Sequence, residues 1–279
     1  MSYAMKYCLS CLLLFALTVA ARASISIDPK FLFLDGSRRS VSVSISNSDE
    51  NEAEVWIEVK FGYETSDDSG KIFIHFDSLA IDEPSAATWI RCYPQRFIVG
   101  PGESQTVRIA VRPPAGTADG EYWARILVTS KPRNISRLPQ SGTTPSAKPG
   151  VNVLTQLDLP FHFRLGKLST GLEIVPLSPA VTDTAVLVPL RLTRTGNASF
   201  WGTRTIKVIN GSGKTVFTVT KNIAVYKTMT LVEKISRTGL ASGTYSVEFE
   251  FVTGKRLDVR TANLIQAPPI HTAASVLIP

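Results

Sequence analysis

Residues Val151 to Leu165, V-N-V-L-T-Q-L-D-L-P-F-H-F-R-L, decide how this chain is read. Every second residue gives Val151, Val153, Thr155, Leu157, Leu159, Phe161, Phe163 and Leu165. The intervening row is Asn152, Leu154, Gln156, Asp158, Pro160, His162 and Arg164. A period of two is the signature of a β-strand with one apolar face. At roughly 3.3 Å per residue the stretch would reach about 50 Å, far beyond the usual strand of about 5–6 residues, so part of the row overhangs its own sheet. Pro160 offers no N–H and favours an edge position over a central one. Two readings of the apolar row stand side by side. It fills the core of its own domain, or it is an edge whose spare hydrogen bonds and apolar knobs add to another protein's sheet. On the polar row, His162 reads as a solvated surface side chain.

Upstream, Lys131 to Gly150 holds four prolines, four cations and no acid. Such a segment cannot bury enough apolar surface to order itself. The strand therefore begins as an arm behind a flexible loop instead of as half of a tight hairpin.

The remaining chain reads as strand after strand. Ile25 and Ile27 lead into Phe31-Leu32-Phe33-Leu34 and the turn Asp35-Gly36-Ser37; Ser40 to Ser46 alternates cleanly; Glu54 to Phe61 follows, with Trp56 expected in a sandwich core. Ile72 to Phe76, after a polar turn, reads as an inserted hairpin strand. Thr88–Ile98, Thr106–Val111 and the strand opened by Asp119-Gly120-Glu121-Tyr122 complete a first all-β unit. Tyr122 just behind a Gly turn has the placing of a tyrosine corner, and Ser242-Gly243-Thr244-Tyr245 repeats that entry in a second β-rich unit. Strands there are expected near 171–177, 185–193, 203–209, 216–221, 228–234, 245–252 and 256–262. The fold class is all-β, two immunoglobulin-like β-sandwich domains. The expected division is 24–166 for the N-terminal domain, with 131–150 as the flexible loop, 167–265 for the C-terminal sandwich, and a mobile tail at 266–279 whose apolar end packs on the second domain.

Composition narrows the function classes. Lys6, the apolar run Tyr7 to Ala20 and Ala21-Arg22-Ala23 form an export signal over residues 1–23, which predicts an exported, soluble protein that is not membrane-embedded. Of three cysteines, Cys8 and Cys11 leave with the signal, so Cys92 remains alone as a small buried hydrophobe and no internal disulfide is available. The formal charge of +7 loses two units with Lys6 and Arg22, too modest an excess to indicate nucleic acid. His75, His162 and His271 lie far apart, with no metal-ligand spacing, nucleophile elbow or phosphate-cradling loop around them. No catalytic residue, metal or cofactor is expected, and the chain reads as a non-enzyme.

The order of several segments resembles the PapD-like periplasmic chaperones of the chaperone–usher pilus pathway. Leu34 to Ser37, Val41 to Asn47 and Trp56-Ile57-Glu58 resemble that family's opening strands, and Pro101-Gly102-Glu103-Ser104-Gln105-Thr106-Val107-Arg108-Ile109 resembles its P-G-x-x-x-x-V-R-[IL] segment. Asp119-Gly120-Glu121 stands where the family has D-R-E, and Phe161 to Arg164 where it has L-F-Y-R. The likeness runs from Ile25 to about Lys167. It implies a chaperone that stabilises and delivers pilin-like subunits by strand complementation during fimbria assembly, with an outer-membrane usher as a further partner. The subunit-binding row would be Val151, Val153, Thr155 and Leu157. The resemblance also implies an ion pair between Glu121 and Arg164 at the domain junction. The family's carboxylate-anchoring Arg and Lys align with Phe31 and Pro160, so neither charge is present. The neighbouring Lys30 is the candidate substitute, although alternation turns its side chain to the opposite face. The competing reading, from a different class, is an exported structural or adhesive protein built of immunoglobulin-like modules in which the long strand is ordinary core.

Overall fold

The computed structural model describes residues 25–77, 82–133, 154–256 and 258–279. The export signal at 1–23, most of the polar loop (134–150), and Val151 and Val153 lie outside the described residues. Among the described residues the chain forms two β-sandwiches and a two-stranded ribbon between them.

In the first sandwich one sheet runs β1 (Ile25–Asp28), β3 (Ser40–Asn47), β9 (Ser104–Val111), β7 (Ile90–Tyr93). The facing sheet runs β2 (Leu32–Asp35), β11 (Thr155–Leu165), β10 (Gly120–Pro132), β4 (Ala53–Lys60), β8 (Arg96–Val99). Inward-facing residues of both sheets meet in one core that includes Val43, Ile45, Val107 and Ile109 from one side and Val55, Ile126, Leu159, Phe161 and Phe163 from the other. The apolar opening stretch is divided at Asp28-Pro29, so β1 and β2 serve opposite sheets. The expected single strand at 88–98 likewise divides, at Tyr93-Pro94, into β7 and β8 in different sheets, after a short 3-10 turn at Ala87–Trp89. A proline at each division removes a ladder donor where the chain changes layers.

Alternation also corrects the reading of Trp56. Val55 and Ile57 take the core face of β4, which leaves Trp56 half-buried on the outer face. Cys92 is buried in the core, and burial pushes its thiol up to about 11.

The second sandwich packs β12 (Thr170–Pro176), β14 (Ala185–Gly196) and β17 (Thr228–Ser236), with the short β13 (Ala180–Val181) beside β14, on β16 (Thr215–Val225), β15 (Phe200–Asn210), β18 (Gly243–Val252) and β19 (Ile270–Ile278). Its core includes Val188, Leu190, Phe200, Ile206, Leu231, Phe249 and Phe251. Two sequence expectations change here. The tail is not a loose end: Ile270–Ile278 pairs with β18 along its length, and Val276 and Ile278 are buried. The edge strand is supplied by these residues and not by the described residues of the expected segment at 256–262, which run into a 3-10 turn at Thr261–Asn263. Both tyrosine corners are present, with Tyr122 Oη donating to the Ala118 carbonyl (2.9 Å) and Tyr245 Oη to the Ala241 carbonyl (3.0 Å).

The chain crosses between sandwiches at Gly166, whose φ of +60° favours glycine. A Cβ there would come within 1.8 Å of the Asp119 carboxylate, which accepts the Lys167 N–H at 2.9 Å. Between the sandwiches lies the inserted hairpin, β5 (Gly62–Ser66) and β6 (Ile72–Phe76). Its β5 side is stitched to β17: Thr65 Oγ1 donates to the Thr228 carbonyl (3.2 Å), and Ser66 Oγ donates to the Thr230 carbonyl (2.7 Å) while accepting the Thr230 N–H (2.8 Å).

Phe161 is fully buried at the centre of the first core. Phe161→Ala should cost about 3–5 kcal/mol of stability, read as a lower urea midpoint at unchanged slope.

Candidate functional site

The long strand is held unequally along its two edges. On one side β10 pairs with it from Gly120↔Leu165 to Ser130↔Thr155. On the other, β2 covers only Phe161 to Arg164, in parallel. Among the described residues, Thr155 to Pro160 therefore have β10 as their one paired neighbour strand. Along this open edge runs a groove of about 440 Å³ lined by Ile25, Ile27, Lys30, Phe31, Leu157 and Leu159, with Asp158 and Pro160 on its rim. Leu159 is buried in the sandwich core, and Leu157 is half-buried against that core. Thr155 is half-buried on the same row. A free strand edge beside an apolar trough is the geometry that accepts an extended segment.

Lys30 is exposed and, among the described residues, makes no salt bridge. It lines this groove and also the adjoining cleft between the domains, which takes in Phe31, Phe33, Arg38, Asp258 and Arg260. The two positions aligned with the family's anchoring cations are otherwise engaged. Phe31 packs edge-on against Trp201 with ring centres 5.4 Å apart. Pro160 lies opposite Arg125 of β10, and that guanidinium is committed to Asp158 (3.1 Å) and the Gly62 carbonyl (3.4 Å).

The other row of β11 faces the second domain. Glu121 of β10 and Arg164 of β11 are cross-strand partners, and Arg164 Nε donates to Glu121 Oε1 at 2.8 Å. Arg164 also reaches across the junction to the Asn263 carbonyl at 2.7 Å. The second carboxylate oxygen of Glu121 accepts from Trp123 Nε1 (2.9 Å), from the Ser199 N–H (2.9 Å) and from the Ser199 hydroxyl. The partners in the second domain are thus two main-chain groups, the Asn263 carbonyl and the Ser199 N–H, and the Ser199 hydroxyl, not an acid. The reading of the sequence singled out neither Ser199 nor Asn263. The nearest signal was the Gly196-Asn197 turn, whose Asn197 Nδ2 donates to the Asp119 (3.2 Å) and Lys167 (3.0 Å) carbonyls.

His162 corrects its expected placement. It is fully buried at the domain junction, stacked between Phe33 and Tyr226 and edge-on to Trp201. Its Nε2 lies 3.2 Å from the Tyr226 hydroxyl, and its Nδ1 stands 3.4 Å from Glu121 Oε1. Alternation puts His162 on the face of the strand away from the first core, as the sequence indicated, but a cluster of Phe61, Trp123, Trp201, Tyr226, Val259 and Leu264 covers that face. Burial pushes the imidazole below its ordinary range, although the Glu121 carboxylate works against this. Burial alone would raise Glu121; the neighbouring His162 and Arg164 and the Ser199 hydrogen bond outweigh it and hold the carboxyl below the usual range.

The sign of the pH effect follows. A carboxyl with a depressed folded pKa adds stability above its unfolded value, about 4.3, and loses it as pH falls through the folded value. Glu121→Gln should cost about 3–5 kcal/mol at neutral pH, because it leaves Arg164 partly buried without its countercharge. It should also flatten the decline of melting temperature below pH of about 4. Urea titration and a pH series of melting curves measure the two effects.

No family model matches the sequence, and no curated protein matches it. Among solved structures the chain is similar to the YadV chaperone, at 13% identity over 91% of this chain and 100% of that one, with a TM-score of 0.47. It is similar to a chain of the CsuC–CsuE chaperone–tip adhesion subunit pre-assembly complex of Acinetobacter baumannii, at 13% identity over 89% of this chain and 98% of that one (TM-score 0.45). It is also similar to a chain of the Salmonella enterica SafA pilin–SafB chaperone complex, at 12% identity over 90% and 96% (TM-score 0.45). These are likenesses of fold, spread over nearly the whole chain.

Proposed function

We propose that this chain is a periplasmic chaperone that stabilises pilin-like subunits by lending them the open edge of β11 during fimbria assembly. The observation that carries the reading is the one-sided pairing of Thr155 to Pro160 beside an apolar groove. A client strand laid along that edge takes up the unspent main-chain bonds of β11. Alternate apolar side chains of the client drop between Ile25, Ile27, Phe31 and Leu157. Three buried Val or Leu side chains contribute roughly 5–9 kcal/mol before association costs, enough to hold a subunit whose own sheet is incomplete.

Within this reading Thr155 and Leu157 face the client from the chaperone side. Val151 and Val153 continue the row on the strength of the sequence alternation alone. Lys30, exposed at the meeting of groove and cleft, supplies the positive charge for an anionic group of the client. The export signal expected at 1–23 from the sequence supports an encounter in the periplasm, with an outer-membrane usher as the recipient to which a loaded complex would pass.

Leu157→Asp puts a charge into the groove while sparing the buried Leu159, Phe161 and Phe163. Co-expressed with a pilin-like subunit and recovered by affinity capture, the variant should yield a folded protein with client recovery lost. Undiminished recovery from a folded Leu157→Asp protein contradicts the reading. Lys30→Glu should weaken capture without abolishing it.

A further inference from the structure

The inserted hairpin has a second open edge that the proposed function does not use. β5 is wedged against β17 by the Thr65 and Ser66 hydrogen bonds, whereas β6, among the described residues, pairs with β5 alone. The ribbon is closed at its ends by Asp67 N–H to the Lys71 carbonyl (3.1 Å) and Asp77 N–H to the Phe61 carbonyl (3.3 Å). Antiparallel bonding alternates along a strand. The odd-numbered residues of β6 therefore turn their main-chain groups toward β5, and Ile72, Ile74 and Phe76 turn theirs outward. The edge is apolar as well as unpaired: Ile72 is 51% exposed, Phe73 43% and Phe76 45%. Within Ile72–Phe76 it carries neither the lysine nor the proline that commonly blunts such an edge.

The sequence of this edge complements itself. Around Ile74 it reads Lys71-Ile72-Phe73-Ile74-His75-Phe76-Asp77. Turned antiparallel against a second copy about Ile74, Lys71 stands opposite Asp77, Ile72 opposite Phe76 and Phe73 opposite His75. Ile74 meets its own copy. In that register all three outward-facing residues exchange both N–H and C=O, and both ends place opposite charges face to face. A slip of two residues, the smallest that keeps the hydrogen-bonding sides matched, breaks both charge pairs.

We propose that β6 is a self-association edge: two copies of this chain join β6 to β6 across a two-fold axis at Ile74, forming a four-stranded sheet β5–β6–β6–β5. An isologous contact of this kind closes at two copies. It uses no residue of the β11 edge or of the groove beside it.

Analytical ultracentrifugation of the exported chain over a dilution series tests the proposal. The wild-type protein should show a reversible monomer–dimer equilibrium. Ile74→Pro removes an outward N–H while leaving the bonds to β5 in place, and it should be monomeric at every concentration. Lys71→Asp and Asp77→Lys should each shift the equilibrium to monomer, and the double variant should recover the dimer. Should Ile74→Pro fail to fold, this exchange of charges at exposed Lys71 and half-buried Asp77 decides alone. A wild-type chain that stays monomeric throughout, a dimer that survives Ile74→Pro in a folded protein, or a double variant no better than the singles overturns the proposal.

Discussion

The ladder between β10 and β11 is the interaction on which the remaining architecture depends. β10 is clamped between β4 and β11 and buried on both faces, one against the sandwich core and the other against the hairpin and the second domain. A strand so fixed can hold its neighbour straight from one side only. That is why the first half of β11 stays extended without a second paired strand among the described residues, with Leu157 set opposite Val128 and Leu159 opposite Ile126. The ordering entropy of the edge is met during folding, so a segment docking there meets a preorganised template.

The same two strands also fix the junction between domains, because alternation gives each of them two uses. Odd-numbered residues of β11 supply the groove and the core; even-numbered residues supply Asp158, His162 and Arg164 to the side that faces the hairpin and second domain. Glu121 gathers Arg164, Trp123 and Ser199 around one buried carboxylate. The second sandwich is thereby tied to the same pair of strands that borders the groove. Removing any of these donors leaves a buried charge short of partners, which costs more than the surface value of a salt bridge. The hairpin adds hydrogen bonds from Thr65 and Ser66 to the same junction.

The fold class was legible because period-two patterning and turn residues are local, and local signals mark strands wherever they end up. Even the two tyrosine corners were readable from a Gly-x-Tyr entry. What was not legible depends on what covers a face. Alternation assigned His162 to the outer face of β11 correctly, but only the second domain could make that face an interior. Trp56 was misplaced because its bulk suggested a core that Val55 and Ile57, on the other face of β4, already fill. The strand expected at 256–262 and the tail exchanged roles, since an edge position beside β18 is a property of the sheet and not of either segment. The groove follows the same rule: the sequence indicated that β11 was too long for its sandwich, while the contribution of Ile25, Ile27 and Phe31 needed the division of the first strand at Pro29.

Amide hydrogen exchange across Thr155 to Leu159, with and without a bound pilin-like subunit, tests most directly whether this edge completes another protein's sheet. Main-chain amides directed away from β10 should exchange rapidly in the free chain and become strongly protected in the complex, while those bonded to β10 stay protected in both. Slow exchange of both sets in the free chain, or no change on binding, would show the edge to be already satisfied and would remove the mechanism.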